Sequence, residues 1–143
     1  FEAGPEMTIR RHKHDAIVLN DGRILIAGGS DERDSRGAYS SVEIMDLRKT
    51  HSRKAGDMID ARYKLNGTLV LLADDRILIV GGAARAEIFD STKGVSEPVG
   101  GTFGTKRLFS AATMLRSGEV LITGGYDENL SIGQKAWIYR GQV

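Results

Sequence analysis

The 143-residue sequence contains no cysteine, which excludes disulfides, thiolate metal sites and cysteine nucleophiles but assigns no compartment. Proline occurs only twice, so no proline-rich linker divides the chain. Neither sign of charge predominates, because 20 basic residues accompany 19 acidic ones. We therefore expect neither a nucleic-acid partner nor attachment to an anionic membrane. No apolar run approaches the roughly 18 residues that a membrane-spanning helix requires.

Glycine, in contrast, is abundant at 18 residues, and three glycine pairs that follow apolar runs begin at residues 28, 81 and 124. The pairs recur after 53 and 43 residues, which is typical of repeated β-structured units. Each pair closes an apolar segment, and a polar turn with another apolar run precedes that segment. The segments read RILIAGG at 23–29, RILIVGG at 76–82 and EVLITGG at 119–125.

A loop of variable length follows each pair and leads to another apolar run. These runs read VEIMD at 42–46, AEIFD at 86–90 and AWIYR at 136–140. Short apolar and β-branched runs bounded by turn residues indicate strands, and no segment shows helical periodicity. A fourth strand led by glycine is expected at 56–59 and at 99–103. We therefore predict an all-β fold with three four-stranded antiparallel units in a single domain spanning 1–143.

The units are expected at 14–60, 65–103 and 108–140, and the two ends of the chain leave remainders that match. The unit at 108–140 has no fourth strand after it. Residues 4–9 have the pattern of a fourth strand, but no unit precedes them. Together, the three strands expected at 108–140 and the strand expected at 4–9 would make one complete four-stranded unit.

Several features of the repeat resemble the Kelch-repeat family and the central propeller of galactose oxidase. They are the glycine pair, the aspartate that ends the third strand, the Gly-x-Met sequence, and an arginine four residues after that methionine or, in the third case, after Phe103. The aspartates are Asp46 and Asp90, and the arginines are Arg11, Arg62 and Arg107. The resemblance implies propeller blades, which are four-stranded sheets arranged around a central channel. Galactose oxidase-like copper chemistry needs a Cys–Tyr crosslink that this chain cannot form, and we expect no cofactor.

Three blades are too few for a closed ring, because propellers contain about 4 to 8 blades. We therefore expect half of a six-bladed propeller. In the resulting homodimer, residues 4–9 of one copy would complete the blade at 108–140 of the other. The alternative is that the chain is a fragment of a longer propeller.

The resemblance places the loops after the second strands and the connections between blades on one face, around the channel mouth. These segments are uneven in length and locally basic, as is common where a rigid scaffold carries a binding site. We predict a non-catalytic scaffold that binds a protein segment or an acidic small molecule there. The candidate ligand-binding residues are Arg11, His14, Tyr39, Arg62, Tyr63, Arg107 and Tyr126.

Alternatives remain for both the arginines and the function. The arginines could instead hold the blades together by pairing with the strand-end acids Asp15, Asp46 and Asp90. The scaffold could be a Kelch-type enzyme that acts on sugar acids, or the chain could be an excised or engineered half-propeller without a biological ligand. His12-x-His14 and the acidic loop at 31–34 lack the complete spacing of a metal site, so we predict no metal and no catalytic residue.

Overall fold

The computed structural model describes residues 1–141, which form an all-β fold of three antiparallel sheets without an α-helix, as predicted. Sheet 1 contains β1 (Asp15–Val18), β2 (Ile24–Ala27), β3 (Ser41–Asp46) and β4 (His51–Asp57). Sheet 2 contains β5 (Leu69–Leu71), β6 (Ile77–Ile79), β7 (Glu87–Asp90) and β8 (Val95–Pro98). Sheet 3 contains only β9 (Ala111–Met114), β10 (Val120–Thr123) and β11 (Ala136–Tyr139). Within each sheet the strands are neighbours in chain order.

The first two strands of each sheet form a hairpin because the residues between them suit a tight turn. Gly22 and Gly118 have φ values of 85° and 86°, which residues with a Cβ rarely adopt. Asp75 takes the corresponding place in sheet 2, with φ of 64°. One backbone hydrogen bond of 2.8 Å recurs at all three turns, from Leu19 to Arg23, from Leu72 to Arg76 and from Leu115 to Glu119.

The sheets stack in chain order, so that sheet 2 lies between the other two. The first strands contact one another along one edge of the stack, and β4 contacts β8 along the opposite edge. Strand β6 is apolar on both faces: Ile77 and Ile79 pack toward sheet 1, whereas Leu78 packs toward sheet 3. All three side chains are fully buried, as expected for a strand between two sheets.

The two end faces of the stack are exposed because no further sheet covers them. Ile44 and Ile138 occupy the same position of the repeat, but Ile44 is 2% exposed and Ile138 is 44% exposed. Val18 is 62% exposed at the opposite end, on the face of sheet 1 that points away from sheet 2. Each end of the stack therefore presents apolar side chains to solvent.

The fourth strands lie earlier in the chain than the sequence pattern indicated. Strand β4 ends at Asp57 and β8 ends at Pro98, just where the expected strands were to begin. The side chains that marked those strands, Met58 and Phe103, follow the strand and pack into the cores between the sheets. Residues 4–9 form no strand within the chain. Their pairing with a second copy remains a prediction.

Candidate functional site

Two of the three repeated arginines form buried ion pairs. Arg11 precedes sheet 1, and its Nη2 lies 2.7 Å from Oε2 of Glu43 in β3. Arg62 connects sheets 1 and 2, and its Nη2 lies 2.9 Å from Oε2 of Glu87 in β7. All four side chains are at most 1% exposed. The glutamates occupy the same position of the repeat, so the same ion pair occurs in both repeats.

The same arginines also satisfy backbone carbonyl groups near the ends of the second strands. Arg11 Nη1 donates to the Gly28 carbonyl at 2.6 Å. Arg62 donates to the carbonyls of Gly81 at 2.8 Å and Arg85 at 2.7 Å. Burial lowers the pKa of Arg62, although its acidic partner opposes the shift and the guanidinium remains charged. These internal partners favour an architectural role for Arg11 and Arg62 over contact with a ligand.

The acids in these pairs are not the strand-end aspartates that the sequence suggested. Asp15 accepts hydrogen bonds from the backbone N–H groups of Thr68 and Leu69, and it thereby links β1 to β5. Asp46 and Asp90 cap the turns that follow β3 and β7. The hydroxyl of Thr92 and neighbouring N–H groups lower the pKa of Asp90 to about 2. The expected pairing of these aspartates with the arginines is therefore wrong, because nearby backbone donors bind them instead.

The third arginine has a different environment. Trp137 of β11 takes the place of the two glutamates, and the guanidinium carbon of Arg107 lies 5.2 Å from the centre of its ring. Within residues 1–141, the Arg107 side chain forms neither a hydrogen bond nor an ion pair, and its Nε is buried without a partner. Arg107 is thus the one repeated arginine that has no acidic partner in the described part of the chain.

A lysine of the chain lies among three aromatic rings at the junction of sheets 2 and 3. Lys64 Nζ lies 5.2 Å from the ring centre of Tyr63, 5.3 Å from that of Tyr126 and 5.8 Å from that of Phe109. It also donates a hydrogen bond of 2.9 Å to the Tyr126 hydroxyl, which raises the pKa of Lys64. The structure therefore brings together Tyr63 and Tyr126, but around a cation that belongs to the protein.

The remaining candidates lie beside sheet 1. The Tyr39 ring centre is 5.6 Å from the guanidinium carbon of Arg11, and Tyr39 lines a cavity of about 420 Å³ with Arg10 and His12. His14 is half-buried, and its Nδ1 is enclosed without a hydrogen-bond partner. Burial, with the charge of Arg11 adding to it, lowers the pKa of His14. The seven candidates are thus distributed over several places rather than gathered in one pocket.

Sequence reasoning missed the residues that distinguish the three repeats, namely Glu43, Glu87, Trp137, Lys64 and Phe109. A signal for the first three was present, since the third strands read VEIMD, AEIFD and AWIYR. The change from glutamate to tryptophan at the second letter separates the third repeat from the others. No comparable signal existed for the aromatic cluster, because its rings come from three separate segments of the chain.

Backbone hydrogen bonds of one pattern join each sheet to the segment that leads into the next sheet. At the first junction, N–H groups of Met58, Arg62, Gly29 and Lys64 donate in turn to carbonyls of Ser40, Tyr39, Arg62 and Lys13. At the second junction, N–H groups of Phe103, Arg107, Gly82 and Phe109 donate to carbonyls of Ala84, Ala83, Arg107 and Lys64. The eight distances range from 2.7 to 3.2 Å. The junction is therefore a repeated structural unit in its own right.

A groove of about 840 Å³ lies between sheets 2 and 3 on the side where sheet 3 lacks a fourth strand. Its lining includes the apolar side chains of Phe103, Trp137 and Tyr139. The Phe103 and Trp137 rings meet edge to face, with their centres 5.1 Å apart. In sheets 1 and 2 the fourth strand pairs with the third, whereas no strand of residues 1–141 pairs with the outer edge of β11.

No known protein family matches the sequence, and no curated protein is significantly similar to it. No helix in the described residues is long and apolar enough to cross a membrane. Within residues 1–141, no three His, Asp or Glu side chains are grouped so that they could hold a metal ion.

Proposed function

We propose that the protein is a non-catalytic binding scaffold of the propeller type, in which two copies join to form a closed ring of six sheets. The observation that carries this proposal is the repeated junction, because the two ends of the stack hold complementary halves of a third one. The Kelch-like sequence repeat and the three stacked sheets agree with blades of such a ring.

One half of the third junction lies before sheet 1, and the other lies in the segments just before β9 and after β10. The N–H groups of Met7, Arg11 and Lys13 correspond to donors at the first two junctions, yet they have no backbone acceptor among residues 1–141. At the other end, Gly125 N–H and the carbonyls of Gln134, Gly133 and Phe109 likewise have no backbone partner there. A second copy would supply the four missing bonds: Met7 to Gln134, Arg11 to Gly133, Gly125 to Arg11 and Lys13 to Phe109.

Burial of the end faces supplies the driving force for this assembly. Val18 and Ile138 lie on opposite end faces and would meet apolar neighbours in a ring, as Leu71 and Ile44 do within the chain. Exposed apolar faces and open sheet edges favour association unless they are covered. Two copies provide six sheets, which falls within the range of closed propellers.

The first residues of a second copy supply the fourth strand of sheet 3 in this proposal. Thr8 N–H donates to Glu43 Oε1 at 3.0 Å, and Ile59 N–H donates to Glu87 Oε1 at 2.9 Å, so Thr8 is equivalent to Ile59. With Thr8 aligned to Ile59, residues 1–6 align with the residues of β4. The proposed fourth strand therefore begins slightly earlier than the segment 4–9 that the sequence pattern predicted. Phe1, fully exposed here, would then enter the groove between sheets 2 and 3.

The binding role rests on the loop-rich side of the ring. The loops between second and third strands differ in length, and the loop at 30–40 lines one side of the cavity beside Tyr39. Loops of this kind on a rigid sheet scaffold are common positions for ligand contacts. A protein segment or an acidic small molecule is the proposed ligand class.

Sedimentation velocity of the unmodified chain tests the assembly. We expect about twice the chain mass of 15.5 kDa. Val18→Asp and Ile138→Asp should each leave a folded monomer, because both side chains are exposed in the single copy. Leu47→Asp is a matched control, since Leu47 is 53% exposed but lies in the turn after β3. A monomer for the unmodified chain, or an oligomer that both end-face variants retain, would contradict the proposal.

A further inference from the structure

The three repeated arginines provide an internal comparison that points to a ligand position. Arg11 and Arg62 each receive a carboxylate from the third strand of the sheet that follows them. The corresponding strand for Arg107 is β11, where Trp137 replaces the glutamate. The site therefore retains the cation of the repeat and lacks the anion that accompanies it elsewhere.

The surroundings of Arg107 leave its guanidinium available. The guanidinium carbon of Arg107 lies over the Trp137 ring, 5.2 Å from its centre, and Arg107 is only partly buried. Gly133 lies beside it, and a Cβ at that position would come within 2.7 Å of Nη1. The carbonyls of Gly124 and Lys135, which correspond to those that Arg11 binds, accept no hydrogen bond from Arg107. The Nη donors of Arg107 consequently have no protein acceptor among residues 1–141.

We propose that Arg107 binds the carboxylate group of a ligand in the role that Glu43 and Glu87 fill for the other two arginines. A guanidinium fork binds a carboxylate through two parallel hydrogen bonds, and no side chain or carbonyl of residues 1–141 occupies the fork of Arg107. The planar shape of the fork selects a carboxylate over a spherical anion. The neighbouring Lys106 is already paired with Glu128 at 2.8 Å, so Arg107 provides the free charge.

This site lies between sheets 2 and 3 of one chain, so it does not depend on assembly of two copies. Binding by a chain that proves monomeric would leave the inference standing while the proposed ring failed. The carboxylate can come from a small dicarboxylic acid or from an acidic side chain of a peptide. Glutarate and a blocked Gly-Glu-Gly peptide distinguish these two sources.

Trp137 provides a direct readout because it is the only tryptophan in the chain. Titration of the full chain with each probe should change Trp137 fluorescence to saturation, and calorimetry should give the same affinity. Arg107→Lys keeps the charge and removes the fork, and it should weaken binding by about tenfold. Arg85→Lys, a matched change at an exposed arginine nearby in the fold, should leave the affinity unchanged.

Trp137→Glu restores the acid of the other repeats and should abolish binding of both probes, as followed by calorimetry. Chloride, a spherical anion that cannot accept two parallel hydrogen bonds, should bind more weakly than glutarate. The inference is overturned if neither probe binds the folded chain, if Arg107→Lys binds as well as the unmodified chain, or if chloride binds as tightly as glutarate. Arg107→Lys keeps the test decisive even if Trp137→Glu fails to fold.

Discussion

Sheets 2 and 3 are built from nearly the same sequence pattern, yet they differ in every property that depends on neighbours. Ile77, Leu78 and Ile79 of sheet 2 are fully buried, and its arginine is neutralised by Glu87. Sheet 3 has one covered face, three strands, and an arginine beside a tryptophan. Ile138 on its open face is 44% exposed. The stability of such a repeat thus comes largely from the adjacent repeats rather than from its own strands.

The largest expected effect lies at the buried ion pair of sheet 2. Glu87→Ala leaves the Arg62 guanidinium buried without its counter-ion, and it should lower the free energy of unfolding by about 3–5 kcal/mol. Arg107→Ala, at the equivalent junction without an acid, should cost only about 1 kcal/mol. Urea unfolding followed by circular dichroism measures both. Equal losses would mean that the two arginines do not differ as their surroundings indicate.

Two equivalent leucine substitutions, one in each sheet, should differ in their cost to stability because only one of the leucines is fully buried. Leu78→Ala removes a fully buried side chain between sheets 2 and 3, and it should cost about 2–5 kcal/mol. Leu121 has the same place in β10 but lies on the open face, so Leu121→Ala should cost less in dilute protein. Thermal unfolding at several concentrations is the measurement. If the ring forms, the cost of Leu121→Ala grows with concentration, whereas a constant cost would argue against burial of this face.

The aromatic cluster at the junction of the two sheets should give a smaller effect. Tyr126→Phe keeps the ring near Lys64 and removes the hydroxyl that accepts its hydrogen bond. We expect a loss of about 1 kcal/mol in unfolding free energy. Tyr39→Phe serves as the control, since the Tyr39 hydroxyl takes part in no hydrogen bond within the described residues. If Tyr39→Phe lowered the free energy of unfolding as much as Tyr126→Phe, the loss could not be attributed to the hydrogen bond with Lys64.

The smallest predicted effect is a pH dependence at His14 beside sheet 1. Burial and the Arg11 charge lower the pKa of His14 below its usual 6.5, so the unfolded chain binds a proton more readily than the folded one. With respect to His14, the free energy of unfolding is therefore highest above pH 6.5, and it declines as the pH falls from 6.5 through the folded-state pKa. Denaturant unfolding of His14→Gln should show a shallower decline over this interval. An identical pH profile for both proteins would contradict the assignment.

The sequence was sufficient to predict the repeat, the all-β class and the second strands, because glycine pairs and apolar runs depend on local chemistry. It did not locate the fourth strands correctly, since Met58 and Phe103 mark the segment that packs between sheets rather than the strand itself. The partners of Arg11 and Arg62 were also missed. Their glutamates lie 32 and 25 residues away along the chain, and only the stacking of strands brings them together.

Amide hydrogen exchange at Gly125 tests the proposed ring most directly. Gly29 and Gly82 donate their N–H groups to the arginine carbonyls of the two internal junctions, at 2.8 and 2.7 Å. In a closed ring Gly125 donates in the same way to Arg11 of the second copy, and its exchange should slow to the rate of Gly29 and Gly82 as concentration rises. Rapid exchange at Gly125 at every concentration, with Gly29 and Gly82 protected, would contradict the ring.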